Sequence, residues 1–208
     1  MIKFENTGVC GIRHAIRGMR NAMNSWDKSD SYADLIYSTF KLGENDKGLA
    51  MKLSKAGTDH RKFLRMITVY ADITAPLYWW KEYDTYKVGT VANSCSTMHT
   101  IHKKDLTFDD FSVEDKYTGY YTDIIIDINR LRREYCETKD VETFRALIGL
   151  LPSSYNQKRT VMLNYEVLAN IYKSRQGHKL KEWHEFIEWI EGLPYNELIR
   201  GEKHNEIE

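Results

Sequence analysis

The stretch YKVGTVANSCSTMH, Tyr86–His99, follows directly on ITAPLYWWKEYDTY, Ile73–Tyr86, and the contrast between them decides how the chain is read. Pro76 lacks an N–H that the first turn of a helix does not need, so APLYWWKEYDTYK reads as a helix. Its Trp79, Trp80, Tyr83 and Tyr86 could stack on a planar ring, although aromatics at helical spacing more often serve a core. The segment behind it has too few apolar residues for core and too many small ones for an ordinary surface helix. It reads as a loop whose backbone N–H groups can approach an anion closely, with Ser and Thr hydroxyls adding donors without bulk. Taken alone, such a loop is more often simply solvated.

Working outward, KFLRMITVYADIT alternates, with Phe63, Ile67, Val69, Ala71 and Ile73 on one side and Leu64, Met66, Thr68 and Tyr70 on the other. Both sides are semi-apolar, which predicts a central strand. Before it, GENDKGLAMKLSKAG reads as a helix capped by Asn45 or Asp46 and ended by Gly57, with Lys52 and Lys55 solvated. Beyond the small-residue segment, Tyr117, Tyr121, Ile124, Ile128, Leu131 and Tyr135 recur at steps of four and three, one face of a long amphipathic helix. Such a stripe serves a core or a subunit interface, and core is the commoner use. DVETFRALIGLLP reads as a helix stopped by Pro152, KRTVMLNY as a short strand, and YEVLANIYKSRQGH and LKEWHEFIEWIEGL as helices divided near Gly177. The expected fold is α+β, a small antiparallel sheet surrounded by helices, in one domain over residues 1–208.

Composition narrows the partners. Thirty basic and thirty acidic side chains cancel, so no net field recruits DNA, RNA or a membrane surface. Three cysteines without paired spacing, and no run of eighteen apolar residues, point to a reducing, cytoplasmic setting. His99 and His102 lack the Asp, Glu or Cys partners of a metal site, so none is expected. Cys95 could be a nucleophile, but no cation beside it in sequence lowers its pKa, and a buried inert thiol is the favoured reading. The run FDDFSVED reads as a solvated loop.

Three regions resemble the flavin-dependent thymidylate synthases, the ThyX-type family. IRGMRNAMNSW is similar to the family's N-terminal helix and the Ser-aromatic pair that ends it, here Ser25-Trp26. KAG, a strand, AP, an aromatic helix and KVGTVANSCS follow the family's order of strand, helix and signature loop. LLPSSYNQKRTVMLNYEVLANIYKSRQGHKLKEWHEF resembles its closing region, with Leu-x-Asn on a helix, then Arg and a nearby His. The signature departs from the family's Arg-His-Arg: that triplet falls on Thr85-Tyr86-Lys87, its serines on Thr90 and Ser96, and its asparagine on Asn93. The arginine and tyrosine that close the signature become Met98 and His99.

The resemblance implies a reaction in which FAD, reduced by NADPH, works with methylenetetrahydrofolate to deliver a one-carbon unit to C5 of dUMP or a related pyrimidine nucleotide. It implies nucleotide contacts at Glu82, Asn93, Ser94, Ser96, Arg145 and Arg175, with Arg145 one turn from the position, Ile148, where a second nucleotide arginine would fall. It implies flavin contacts at Ser25, His60, Thr85, Tyr86, Lys87, Thr90, Asn170 and His178. A homotetramer is the expected assembly. The competing expectation is a chain that kept this fold and lost the flavin chemistry, acting as a nucleotide-binding or protein-interaction module.

Overall fold

A computed structural model describes residues 2–34 and 39–201. Elements run in the order β1 (Lys3–Cys10), α1 (Ile12–Met19), β2 (Tyr32–Asp34), β3 (Thr39–Lys41), α2 (Glu44–Lys55), β4 (Thr68–Pro76), α3 (Leu77–Tyr83) and β5 (Val91–Ser94). They continue with α4 (Thr97–Thr100), α5 (Thr122–Thr138), α6 (Val141–Gly149), β6 (Asn156–Asn164), α7 (Tyr165–Arg175), α8 (Lys181–Glu191) and α9 (Glu197–Arg200). The fold is α+β: a small antiparallel sheet in the order β1-β4-β6-β5, with many helices and a separate β2-β3 hairpin. No helix among the described residues is long and apolar enough to cross a membrane.

The chain divides into two compact units. One is built mainly from Asp72–Thr85 and Ala92–Thr160. In it the aromatic helix α3 buries Trp79, Trp80 and Tyr83, with Trp79 edge-on to Trp80 at 4.9 Å and stacked on Tyr83 at 5.2 Å. These rings are core, as their spacing predicts. A second cluster joins Ile101, Leu106, Phe111, Ile125, Ile128 and Leu147, and Tyr121, Ile124 and Leu131 pack against it. The stripe read from Tyr117 is therefore used inside the unit. Its helix starts later than the periodicity suggests, because Asp115–Tyr121 is a 3-10 segment and Tyr117 stays half exposed.

The other unit comprises Phe4–Ala71, Tyr86–Val91 and the chain from Val161 onward. Here the strand expected from Phe63 begins only at Thr68, and Arg61–Met66 is a 3-10 helix that packs on α1 and α7. Alternation misleads at this point because a three-residue period also carries Phe63 and Leu64 inward, both buried. From Thr68 the reading holds: Val69, Ala71, Ile73 and Ala75 are buried and β4 is an inner strand. Helix α2 is capped neither by Asn45 nor by Asp46. Its N-cap is Gly43, and the Asp30 carboxylate accepts from the N–H groups of Asn45 and Asp46 at 2.8 and 3.0 Å. Asp46 is fully buried instead, taking hydrogen bonds from Arg20 Nε, Ser29 Oγ and Ser31 N–H. Burial alone would raise its pKa, but these hydrogen bonds and the Arg20 charge together hold it below the ordinary carboxylate value.

Candidate functional site

The sequence brings a turn and two helices to one corner of the second unit. Asn164 caps α7: its Oδ1 accepts from Val167 N–H at 3.0 Å, and its Nδ2 donates to Gly89 O at 3.4 Å. Gly89 sits at φ +75, and a Cβ there would lie 2.6 Å from Asn164 Nδ2, so only glycine lets the turn close on the cap. Thr90 Oγ1 donates to Tyr86 O at 2.6 Å, tightening the same turn. The result presents Tyr86 to the end of α7.

There Arg175 Nε donates to the Tyr86 hydroxyl at 2.9 Å, and its guanidinium lies 4.4 Å from the Trp183 ring centre and 5.5 Å from that of Tyr86. Gly177, at φ +67, turns the chain so that His178 comes back to Arg175, its Nε2 3.1 Å from Nη1. Leu180 N–H donates to His178 Nδ1 at 3.1 Å, which places the proton of the neutral imidazole on Nε2. Arg175 Nη1 and His178 Nε2, both N–H groups, then face each other. Trp183 underlies all three groups and is fully buried. Sequence reasoning missed it, although an aromatic at the third position of the helix after Gly177 was there to be weighed.

Asn170 lies on the exposed side of α7, where Arg61 Nη2 donates to its Oδ1 at 3.1 Å. Arg61 and Arg65 both pair with Glu166, and Arg61 Nε stands 3.2 Å from the carboxylate. Burial would raise the Glu166 pKa, but the two arginines hold it down. His60 is exposed and, with Lys62, Phe63, Met19, Asn21 and Met66, lines a hollow of about 800 Å³. Ser25 is half-buried, and its carbonyl accepts from Arg20 Nη1 at 3.3 Å. Lys87 is exposed.

The remaining residues singled out from sequence fall in the first unit. Thr85 Oγ1 donates to Glu82 O at 2.7 Å, closing the end of α3. The small-residue segment is not a loop throughout. Ala92–Ser94 continue an exposed edge strand, β5, and Asn93 and Ser94 lie on it. Cys95 N–H is committed to Lys158 O at 2.9 Å, so that amide belongs to the sheet. Ser96 is the N-cap of the one-turn α4, and its carbonyl takes the Thr100 hydroxyl at 2.7 Å. Cys95 is exposed, not buried as the sequence suggests, because an edge strand of small residues has nothing to cover it. Arg145 is exposed and paired with Glu142 at 3.3 Å, whereas Ile148 packs toward the core, so the two do not share a face. Among the described residues, no three His, Cys, Asp or Glu side chains gather as a metal site.

No protein-family model and no curated protein matches this sequence. Solved structures do. Two structures of thymidylate synthase X from Helicobacter pylori, each complexed with FAD and dUMP, align with it at a TM-score of 0.73 and 16% identity. They cover 95% of this chain, which in turn covers 96% and 95% of theirs. A helix order, a sheet and a chain length shared to that extent give this protein the ThyX-like fold.

Proposed function

We propose that the protein is a divergent flavin-dependent thymidylate synthase-like enzyme, transferring a one-carbon unit from methylenetetrahydrofolate to C5 of dUMP or a related pyrimidine nucleotide. The observation that carries this reading is the meeting of Tyr86, Arg175 and His178, separated by 89 and three residues, in one donor-rich corner. All three are positions that the family resemblance implicates, and the fold is that of enzymes solved with FAD and dUMP. Arg175 can offer a planar fork to a phosphate or to the edge of a base, while His178 Nε2–H supplies a second donor beside it.

The residues fit a flavin. The hollow beside His60 joins apolar surface from Met19, Phe63 and Met66 to donors from His60, Lys62 and Asn21, the mixture that a ring system with a polar tail requires. When bound, FAD supplies the hydride chemistry. Ser25, His60, Thr85, Tyr86, Lys87, Thr90, Asn170 and His178 would hold it, with Arg61 fixing the Asn170 amide. Glu82, Asn93, Ser94, Ser96, Arg145 and Arg175 would address the nucleotide, in a homotetramer whose sites draw on several subunits.

One observation favours a second reading, a module that binds without flavin chemistry. Of the triplet positions only Lys87 carries a charge, and Arg145 is tied to Glu142 on an exposed surface. With Met98 and Ile148 where the resemblance puts the family's two nucleotide arginines, a nucleotide phosphate loses several kcal/mol, at roughly 1.5–3 kcal/mol each. Purification in the presence of FAD separates the readings. The enzyme reading predicts a yellow protein that, given NADPH and methylenetetrahydrofolate, releases tritium from dUMP labelled at C5. A colourless protein that FAD does not stabilise against heat favours the module.

A further inference from the structure

Arg13, Arg17 and Arg20 stand four and three residues apart, which aligns them along one face of α1 and its C-cap. With Trp26, Ser29 and Tyr32 they line a groove of about 300 Å³ whose described lining includes no carboxylate. Arg13 and Arg17 are exposed and form no ion pair among the described residues. Arg20 is 5% exposed. Its Nε binds Asp46 and its Nη1 binds Ser25 O, but its Nη2 makes no hydrogen bond among the described residues. Asp46 offsets the charge of Arg20, so the net positive charge of the groove comes from Arg13 and Arg17. Trp26 is held by its indole N–H donating to Asn21 Oδ1 at 2.9 Å, with the Arg17 guanidinium 5.6 Å from its ring centre. Trp26 and Tyr32 remain 40% and 60% exposed, a large aromatic area left to solvent beside concentrated positive charge.

We propose that this groove is a binding site for a nucleoside monophosphate, with the phosphate at Arg13 and Arg17 over Arg20 and the base against Trp26 and Tyr32. Guanidinium forks suit a phosphate dianion, and an aromatic rim suits a planar base. The volume stands at the lower end of the range for small-molecule pockets, which fits a mononucleotide better than a dinucleotide cofactor. The groove shares no residue with the Arg175 corner, and although its Arg20 binds the carbonyl of Ser25, AMP binding at Arg13 and Arg17 is read apart from the proposed enzymatic activity.

Calorimetric titration of the full chain with AMP, adenosine and inorganic phosphate at low salt tests the site. AMP binds more tightly than either adenosine or phosphate alone. The double variant R13Q/R17Q, at exposed positions that leave the fold intact by circular dichroism, weakens AMP at least about tenfold. Trp26→Ala weakens AMP while leaving phosphate affinity unchanged, and Arg175→Ala leaves AMP affinity unchanged. The proposal is overturned if the wild-type chain does not bind AMP, if R13Q/R17Q binds it as the wild type does, or if Arg175→Ala abolishes it. Phosphate binding as tight as that of AMP also overturns it, by removing the base from the site.

Discussion

Asp46 shows how much a single side chain can organise. Buried beneath α1, it joins Arg20, Ser29 and Ser31 and so fixes the start of α2 against the segment that precedes the hairpin. Removing one partner of a buried ion pair leaves the other charge uncompensated, so Asp46→Asn is expected to lower unfolding free energy by about 3–5 kcal/mol at pH 7, read from urea denaturation. The pH dependence follows from the sign of the shift. A carboxylate with a depressed folded-state pKa contributes stability that is complete above its ordinary value, near 4, and is lost as pH falls through the lower folded value. Asp46 and Glu166 both behave in this way. Wild-type stability should therefore decline from about pH 4 downward, and the gap between wild type and Asp46→Asn should close over the same interval. A gap that stays constant to pH 2 would remove Asp46 from the ion pair.

At the level of elements, the joints carry the precision. Gly11 lies between β1 and α1 at φ +88, and a Cβ there would stand 2.1 Å from Met66 O. Gly11→Ala should cost about 1–3 kcal/mol through forced backbone adjustment, measurable as a lower denaturation midpoint. Asn164→Ala should lose the α7 cap and the tie to Gly89, at about 1–2 kcal/mol, and should weaken nucleotide binding as well because Tyr86 is no longer held. The elements legible from sequence were those with two-sided or striped burial or clear start and stop residues: α2, β4, α3, α5, α6, β6, α7 and α8. Those missed were edges. β1 reads KFENTGVC, too polar to alternate, and β5 is made of small exposed residues whose only strand signal is the bonding offered by β6. Arg175 and His178 were singled out through the family resemblance, and the turn at Gly177 is what brings them together. Trp183, which supports them, is recognisable only once α8 has folded back.

For the molecule as a whole, the two proposed sites, the Arg175 corner and the arginine groove along α1, are built from residues of the same compact unit. By family resemblance, the proposed enzymatic site draws on several subunits. Light scattering of the full chain is expected to give the mass of four 24.5 kDa chains, and a monomer would remove the shared-site arrangement. The central claim is that the donors of Arg175 and His178 converge to hold an anionic pyrimidine nucleotide. Titration calorimetry with dUMP on the FAD-saturated protein and its Arg175→Ala variant tests it most directly. The account predicts binding by the wild type and a loss of at least about tenfold in the variant, with the fold retained. Equal affinity in the two proteins would contradict it.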